Sequence, residues 1–186
     1  MLIKFSVNNY RGFADKIECD LSHPSNYSFN QNAIKDNILK NGIIYGPNGA
    51  GKSNLGLAVF DIANHLSHKW KKPDYYLNYA SAYNYNQPVN FEYVFKFEDD
   101  TILYKYSKVA KELKGDLVKE QLFLNEKELF YNDAGTLRLN KDFALTDMAI
   151  DSVRNSANNI SIVNYLLSVV PFPKGHALLK LRDFVE

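Results

Sequence analysis

The sequence has a single cysteine, Cys19, among its 186 residues, so no internal disulfide braces the fold. It also lacks net charge of either sign: 22 Lys and Arg against 21 Asp and Glu leave a formal +1. That balance removes any whole-chain field able to recruit nucleic acid or an anionic membrane, so a nucleic-acid contact would need a local patch. No apolar run approaches bilayer-spanning length. The opening Met1-Leu2-Ile3-Lys4-Phe5 lacks the charged-then-apolar layout of a signal peptide. These absences set the expectation of a reducing, cytoplasmic location with no membrane partner. Internal repeats and low-complexity tracts are missing as well. What remains is 46% hydrophobic and 14% aromatic, enough for the core of one medium domain or slightly more.

The most informative stretch is Gly46-Pro47-Asn48-Gly49-Ala50-Gly51-Lys52-Ser53, which fits G-x-x-x-x-G-K-[ST]. An apolar run, Gly42-Ile43-Ile44-Tyr45, precedes it and reads as a strand. A segment of helical period follows from Lys52. A chance match in a chain this long is on the order of one in a hundred. The residue types suit a polyphosphate. Glycines let the chain turn tightly enough to aim several backbone N–H groups inward, Lys52 supplies a point charge, the Ser53 hydroxyl is a Mg²⁺ ligand, and a helix N-terminus faces the same anion. A glycine-rich turn that merely joined strand to helix would not require Lys-Ser directly after its last glycine.

Around this loop the periodicities divide the chain. Ile3, Phe5 and Val7, then Ile17, Cys19 and Leu21, alternate with polar neighbours and predict two paired strands, with loop up to about Asp36. Leu55, Ala58, Val59, Ile62 and Leu66 predict one amphipathic helix ending before Lys71-Lys72-Pro73. Phe91, Tyr93, Phe95 and Phe97, a turn at Glu98-Asp99-Asp100, and Ile102, Tyr104 and Tyr106 predict an antiparallel hairpin. Leu117–Leu124, Glu128–Tyr131 and Thr136–Leu139 continue it as a meander. Helical period returns around Asn158–Val170 and Gly175–Val185, interrupted by Pro171-Phe172-Pro173. The expected division is therefore a core lobe over 1–72, an antiparallel β-subdomain over 73–145 and a helical segment over 146–186.

The opening Ile3-Lys4-Phe5-Ser6-Val7-Asn8-Asn9-Tyr10-Arg11-Gly12-Phe13, followed by the phosphate loop, resembles the start of an ABC-type ATPase head. More narrowly it is similar to the SMC/RecF/OLD-related prokaryotic AAA-family ATPases, where a strand and an aromatic-basic turn precede a G-x-N-G-x-G-K-S loop. The match is specific over about the first sixty residues and loose beyond them. It implies an α/β fold: a P-loop N-terminal lobe carrying an antiparallel β-subdomain and C-terminal helices. It further implies ATP and Mg²⁺ as cofactors, with Asn48, Gly49, Ala50, Gly51, Lys52, Ser53 and Asn54 around the phosphates, Arg11 near the nucleotide, and Gln121 joining Ser53 at the metal. The partners implied are a second ATPase head, in a homodimer or as a split half, and a nuclease or other effector in genome maintenance or phage defence.

Family members complete the site with an L-S-G-G-type signature, an apolar strand ending in Asp-Glu and a switch histidine, none of which occurs in this sequence. The resemblance is thus to an incomplete head that hydrolyses ATP only when completed. The nearest imitation of the acidic strand, Val94–Asp100, is broken by Lys96 and reads as a hairpin turn. Two other readings stand beside it: a complete small P-loop phosphotransferase, and a non-catalytic module whose surface is ordered by nucleotide. Arg11 has the plain alternative of a solvated turn residue, and Gln121 that of an ordinary strand residue. His65 and His68 are spaced to clasp a metal but lack a third ligand, and read as a solvated helix face. The tyrosines at 75, 76, 79, 83 and 85 read first as packing over the β-subdomain, and otherwise as stacking platforms or a partner surface.

Overall fold

The structure is a computed structural model that describes residues 1–25, 28–67, 73–111, 113–134, 136–140 and 161–186. Strands β1 (Leu2–Asn8) and β2 (Ile17–Asp20) pair antiparallel. A two-stranded ribbon follows, β3 (Ile34–Lys35) and β4 (Ile38–Leu39). After helices α1 (Lys52–Val59) and α2 (Asp61–Leu66) comes the meander: β5 (Val89–Phe97), β6 (Asp100–Lys111), β7 (Lys114–Leu124), β8 (Lys127–Asp133) and β9 (Thr136–Leu139). Helices α3 (Ile162–Val169) and α4 (Ala177–Val185) close the chain. The fold is mixed α and β. One seven-stranded antiparallel sheet has the order β2-β1-β5-β6-β7-β8-β9. It crosses the boundary expected at residue 72, because β1 pairs with β5 through Phe5 opposite Tyr93 and Val7 opposite Phe91. None of the described helices is long and apolar enough to cross a membrane.

Alternation puts Phe5, Val7, Phe91, Tyr93, Phe95, Ile102, Tyr104, Tyr106, Leu122 and Phe130 on one face, all buried. The helices cover that face, contributing Ala58, Ile62, Leu66, Ile162, Val163, Leu166, Leu178 and Leu181. The other face carries ion pairs such as Lys4–Glu18 and Lys105–Glu92. An antiparallel sheet tolerates such one-sided solvation.

Three sequence expectations need correction. The strand over Gly42–Tyr45 does not form: Ile43 and Tyr45 are each 91% exposed, and the segment belongs to no strand. A strand in this setting is held by neighbours on both sides, and the described strands are committed to the antiparallel sheet and the small ribbon. The single helix from Lys52 is broken at Phe60. There the Leu57 and Ala58 carbonyls accept the hydroxyls of Tyr75 (3.2 Å) and Tyr93 (2.9 Å), and such insertion into the i→i−4 ladder interrupts a helix. Finally, the stretch read as loop up to Asp36 contains half of the β3–β4 ribbon. Its turn is Asp36-Asn37, both with positive φ (51° and 60°), a pairing that favours two-residue hairpins.

Two carboxylates are buried beneath the helices. Asp61 at the start of α2 is 0% exposed and forms a 2.8 Å ion pair with Lys108, which is 2% exposed. Asp61 Oδ1 also accepts the hydroxyls of Tyr75 (2.9 Å) and Tyr79 (2.7 Å), and Oδ2 that of Tyr106 (2.7 Å). Burial raises the pKa of the Tyr79 and Tyr106 hydroxyls, with the Asp61 charge adding to it, so they remain donors. Glu120 on β7 does similar work for α3. It accepts from Tyr104 (2.6 Å), from the N-cap Ser161 hydroxyl (2.7 Å) and from the Ile162 N–H (2.6 Å), placing a carboxylate at a helix N-terminus where the dipole favours it.

Asp61→Ala is expected to cost about 3–5 kcal/mol, because it leaves the Lys108 ammonium buried without its carboxylate; urea denaturation measures it. Burial holds the Glu120 carboxyl above its ordinary value of 4.5, outweighing the hydrogen bonds that lower it. Between the ordinary and raised values the folded chain binds more protons than the unfolded one, so this group makes stability fall as pH rises through that window. Denaturation of wild type and Glu120→Gln across that window should show the wild type losing stability relative to the variant as pH rises.

Candidate phosphate-binding site

Between Gly46 and Ser53 the chain turns through two glycines into α1, without the preceding strand that the motif's setting predicts. Gly49 and Gly51 have φ of 82° and 87°, left-handed values that glycine adopts without strain. Gly51 serves as the N-cap of α1, and no side chain caps that helix, so its first-turn N–H groups point outward from the loop. The Lys52 ammonium bends back over the loop and donates to the carbonyls of Gly46 (2.8 Å) and Pro47 (2.7 Å). Asn48, Gly49, Ala50 and Ser53 are all exposed. The result is an exposed turn at an uncapped helix start, crossed by one positive charge, with the Ala50 N–H already bonded to the Pro47 carbonyl (3.3 Å).

The N-terminal turn packs against the start of α1. Tyr10 and Phe13 exchange backbone hydrogen bonds (2.9 and 2.8 Å) around Arg11-Gly12, and Arg11 has φ 48°. The Phe13 ring presses on Gly51 so closely that a Cβ there would stand 2.8 Å from it, and one at Gly12 would stand 3.3 Å from Asn54 Nδ2. Arg11 is not a solvated turn residue. Its Nε donates to the Tyr10 hydroxyl (3.1 Å) and an Nη to the Tyr75 carbonyl (2.9 Å), while the guanidinium lies over both rings. The Tyr10 hydroxyl lies 3.3 Å from that of Tyr75, which donates to Asp61. A continuous polar chain therefore runs from Arg11 beside the loop to the buried carboxylate.

Other candidates lie elsewhere. Gln121 is on the solvated face of the sheet, opposite Lys105, and donates to Glu128 Oε2 (2.6 Å). The sheet stands between it and the helix-covered face, so Gln121 is not brought to Ser53. Glu98 and Asp99 form the β5–β6 turn, as expected, and Glu98 pairs with Lys180 (2.7 Å). His65 is not on a solvated helix face. It stacks on Tyr106 (4.1 Å between centroids) and lies 2.7 Å from the Tyr104 hydroxyl, because α2 lies flat on the sheet. His68 falls outside the described residues, among which no metal-holding cluster of His, Cys, Asp and Glu occurs.

The tyrosines divide into two sets. Tyr75, Tyr76 and Tyr79 pack together, with Tyr76 seated on Gly115 of β7. Burial, then the Asp61 charge, pushes the Tyr76 hydroxyl up to about 12. Tyr83 and Tyr85 are exposed. Missing from the sequence reading is Asn9. Buried with φ 61°, it donates through Nδ2 to the carbonyls of Asn84 and Gln87 (3.0 Å each) and so ties the turn to the loop bearing Tyr85. An asparagine just before a turn is the signal that marks it.

The residues present fit a phosphate chain. For Mg²⁺ they offer the Ser53 hydroxyl, the other ligands having to come from phosphate oxygens and water. No family model matches this chain, and no curated protein matches it. Gly51→Ala is expected to cost more than about 1 kcal/mol, since alanine is strained at this φ and its methyl would displace Phe13. Thermal denaturation, with tyrosine and tryptophan fluorescence of the folded variant, checks it.

Proposed function

We propose that residues 46–54 bind the phosphates of Mg·ATP and that the chain acts as the nucleotide-binding lobe of an ABC/SMC-like ATPase. The observation that carries this reading is the loop itself. Left-handed glycines, the uncapped start of α1 and Lys52 converge on one exposed turn, and the N-terminal turn packs on it through Phe13 and Gly51. Lys52 exchanges its two carbonyl contacts for phosphate oxygens, the loop N–H groups orient the chain of phosphates, and Ser53 holds the metal.

Binding and hydrolysis part company here. Phosphoryl transfer to water depends on positioning the nucleophile and opposing the charge that develops. Among the described residues no carboxylate adjoins the loop on a neighbouring strand, and Gln121 faces away from it. Completion by further residues and by a second head is therefore part of the proposal. So is a role in genome maintenance or phage defence, with a nuclease or other effector as partner. The exposed apolar Ile43-Ile44-Tyr45 before the loop supports it, since such a run becomes a stable strand when strands of a completing segment pair beside it. The same exposed residues favour, as a second reading, an interaction module ordered by nucleotide. The antiparallel meander that follows α2 disfavours a complete small phosphotransferase.

Lys52→Ala is expected to weaken Mg·ATP binding by about 2–3 kcal/mol, the range of a charged hydrogen-bonded contact, with the fold unchanged. Calorimetric titration checks it. The chain alone should release almost no phosphate from ATP. Steady turnover abolished by Lys52→Ala would instead place a hydrolytic carboxylate within these 186 residues.

A further inference from the structure

Beside the first turn of α1 lies an open hollow of about 690 Å³, lined by Arg11, Gly12, Asn54, Tyr76, Asn78 and Tyr85 among others. It begins at Asn54, one residue beyond Ser53, so it adjoins the phosphate loop. Its aromatic walls differ in kind. Tyr76 is fixed, its ring seated on Gly115 and packed against Tyr75 and Tyr79. Tyr85 is 70% exposed and makes no hydrogen bond or ring contact among the described residues, yet its loop is held by the two Asn9 bonds to Asn84 and Gln87. A large ring on an anchored loop, kept out of the core, loses little freedom when a flat ligand covers it.

We propose that this hollow takes the base and ribose of the nucleotide whose phosphates lie on residues 49–53, and that Tyr85 is the stacking surface for the base. The proposal rests on the phosphate-loop reading and goes beyond it by naming the residue that holds the non-phosphate half of the ligand. Three observations converge. The hollow shares Asn54 and Gly12 with the first turn of α1 and the turn packed on it, so it lies beside the helix that leaves the loop. The volume accommodates a nucleoside, well within the range of small-molecule sites. Arg11 and two tyrosines supply a cationic plane and aromatic faces, the surfaces on which bases stack. No Asp or Glu is among the residues lining the hollow, so a guanine edge meets no carboxylate acceptor. Stacking on the face of the base carries the affinity, with the Asn54 and Asn78 amides at its edge.

The test is calorimetric titration of the full chain with Mg·ATP, Mg·GTP and Mg·tripolyphosphate, which has phosphates but no base. Wild type is compared with Tyr85→Ala, Tyr85→Trp and Lys52→Ala. Tyr85→Ala should weaken both nucleotides about ten-fold, the order of a lost base stack, and leave tripolyphosphate unchanged. Tyr85→Trp should restore nucleotide affinity, and Lys52→Ala should weaken all three ligands. If Lys52→Ala weakens all three but Tyr85→Ala changes none, or weakens tripolyphosphate as much as ATP, the phosphate site stands and the base subsite is overturned. If wild type binds none of the three, the phosphate-loop reading fails and the subsite with it.

Discussion

The Asp61–Lys108 pair is the interaction on which the arrangement of this protein turns. Isolated charges are expensive to bury, and this one is accommodated because every acceptor position of Asp61 has a donor: Lys108 and Tyr106 from β6, Tyr75 and Tyr79 from the connection before β5. Those four donors come from two parts of the chain that local sequence does not join. Satisfying one carboxylate therefore fixes α2 on the sheet and draws the tyrosine connection over it. The helix break at Phe60 belongs to the same knot, since Tyr75 and Tyr93 bond the carbonyls of Leu57 and Ala58 just before Asp61.

That knot also sets the position of the loop over Gly46–Ser53. The helix leaving the loop ends two residues before Asp61, so anchoring Asp61 holds one end of α1. Phe13 against Gly51 holds the other, and the turn that presents Phe13 is tied to the knot through Arg11, Tyr10 and Tyr75. The loop is braced from behind while its face stays open. A buried network of this kind specifies geometry more than it adds net stability, because the desolvation it demands offsets much of its attraction.

The hairpins are legible in the sequence because period-2 alternation in Phe91–Phe97 and Ile102–Tyr106 leaves a single inward face, and a one-residue slip would expose it. The loop over Gly46–Ser53 stands out in the sequence because its residue types are rare in combination, and the structure adds its left-handed glycines; its phosphate role is the proposal. The buried charges are not, although the same alternation carries them inward: Lys108 continues Ile102, Tyr104 and Tyr106, and Glu120 shares its face with Leu122. Polarity argues for solvent at those positions, and only tertiary contacts between β6, β7, α2 and α3 reverse it. The strand at Gly42–Tyr45 fails for the complementary reason. Its apolar pattern is correct for a strand, but strand formation needs neighbours, and apolarity alone supplies none. His65 and Gln121 show the same limit, since helix and strand periods place a residue on a face without saying what that face meets.

Amide hydrogen exchange of the intact chain with and without Mg·ATP tests the phosphate site most directly, because the ligand is proposed to be held by backbone N–H groups. Slowed exchange should be strongest across Gly49–Asn54 and extend to Arg11–Phe13, which pack on that loop, with little change in the outer strands β8 and β9. Unchanged exchange over Gly49–Asn54 at saturating nucleotide, or protection confined to residues remote from the loop, would contradict a phosphate site there.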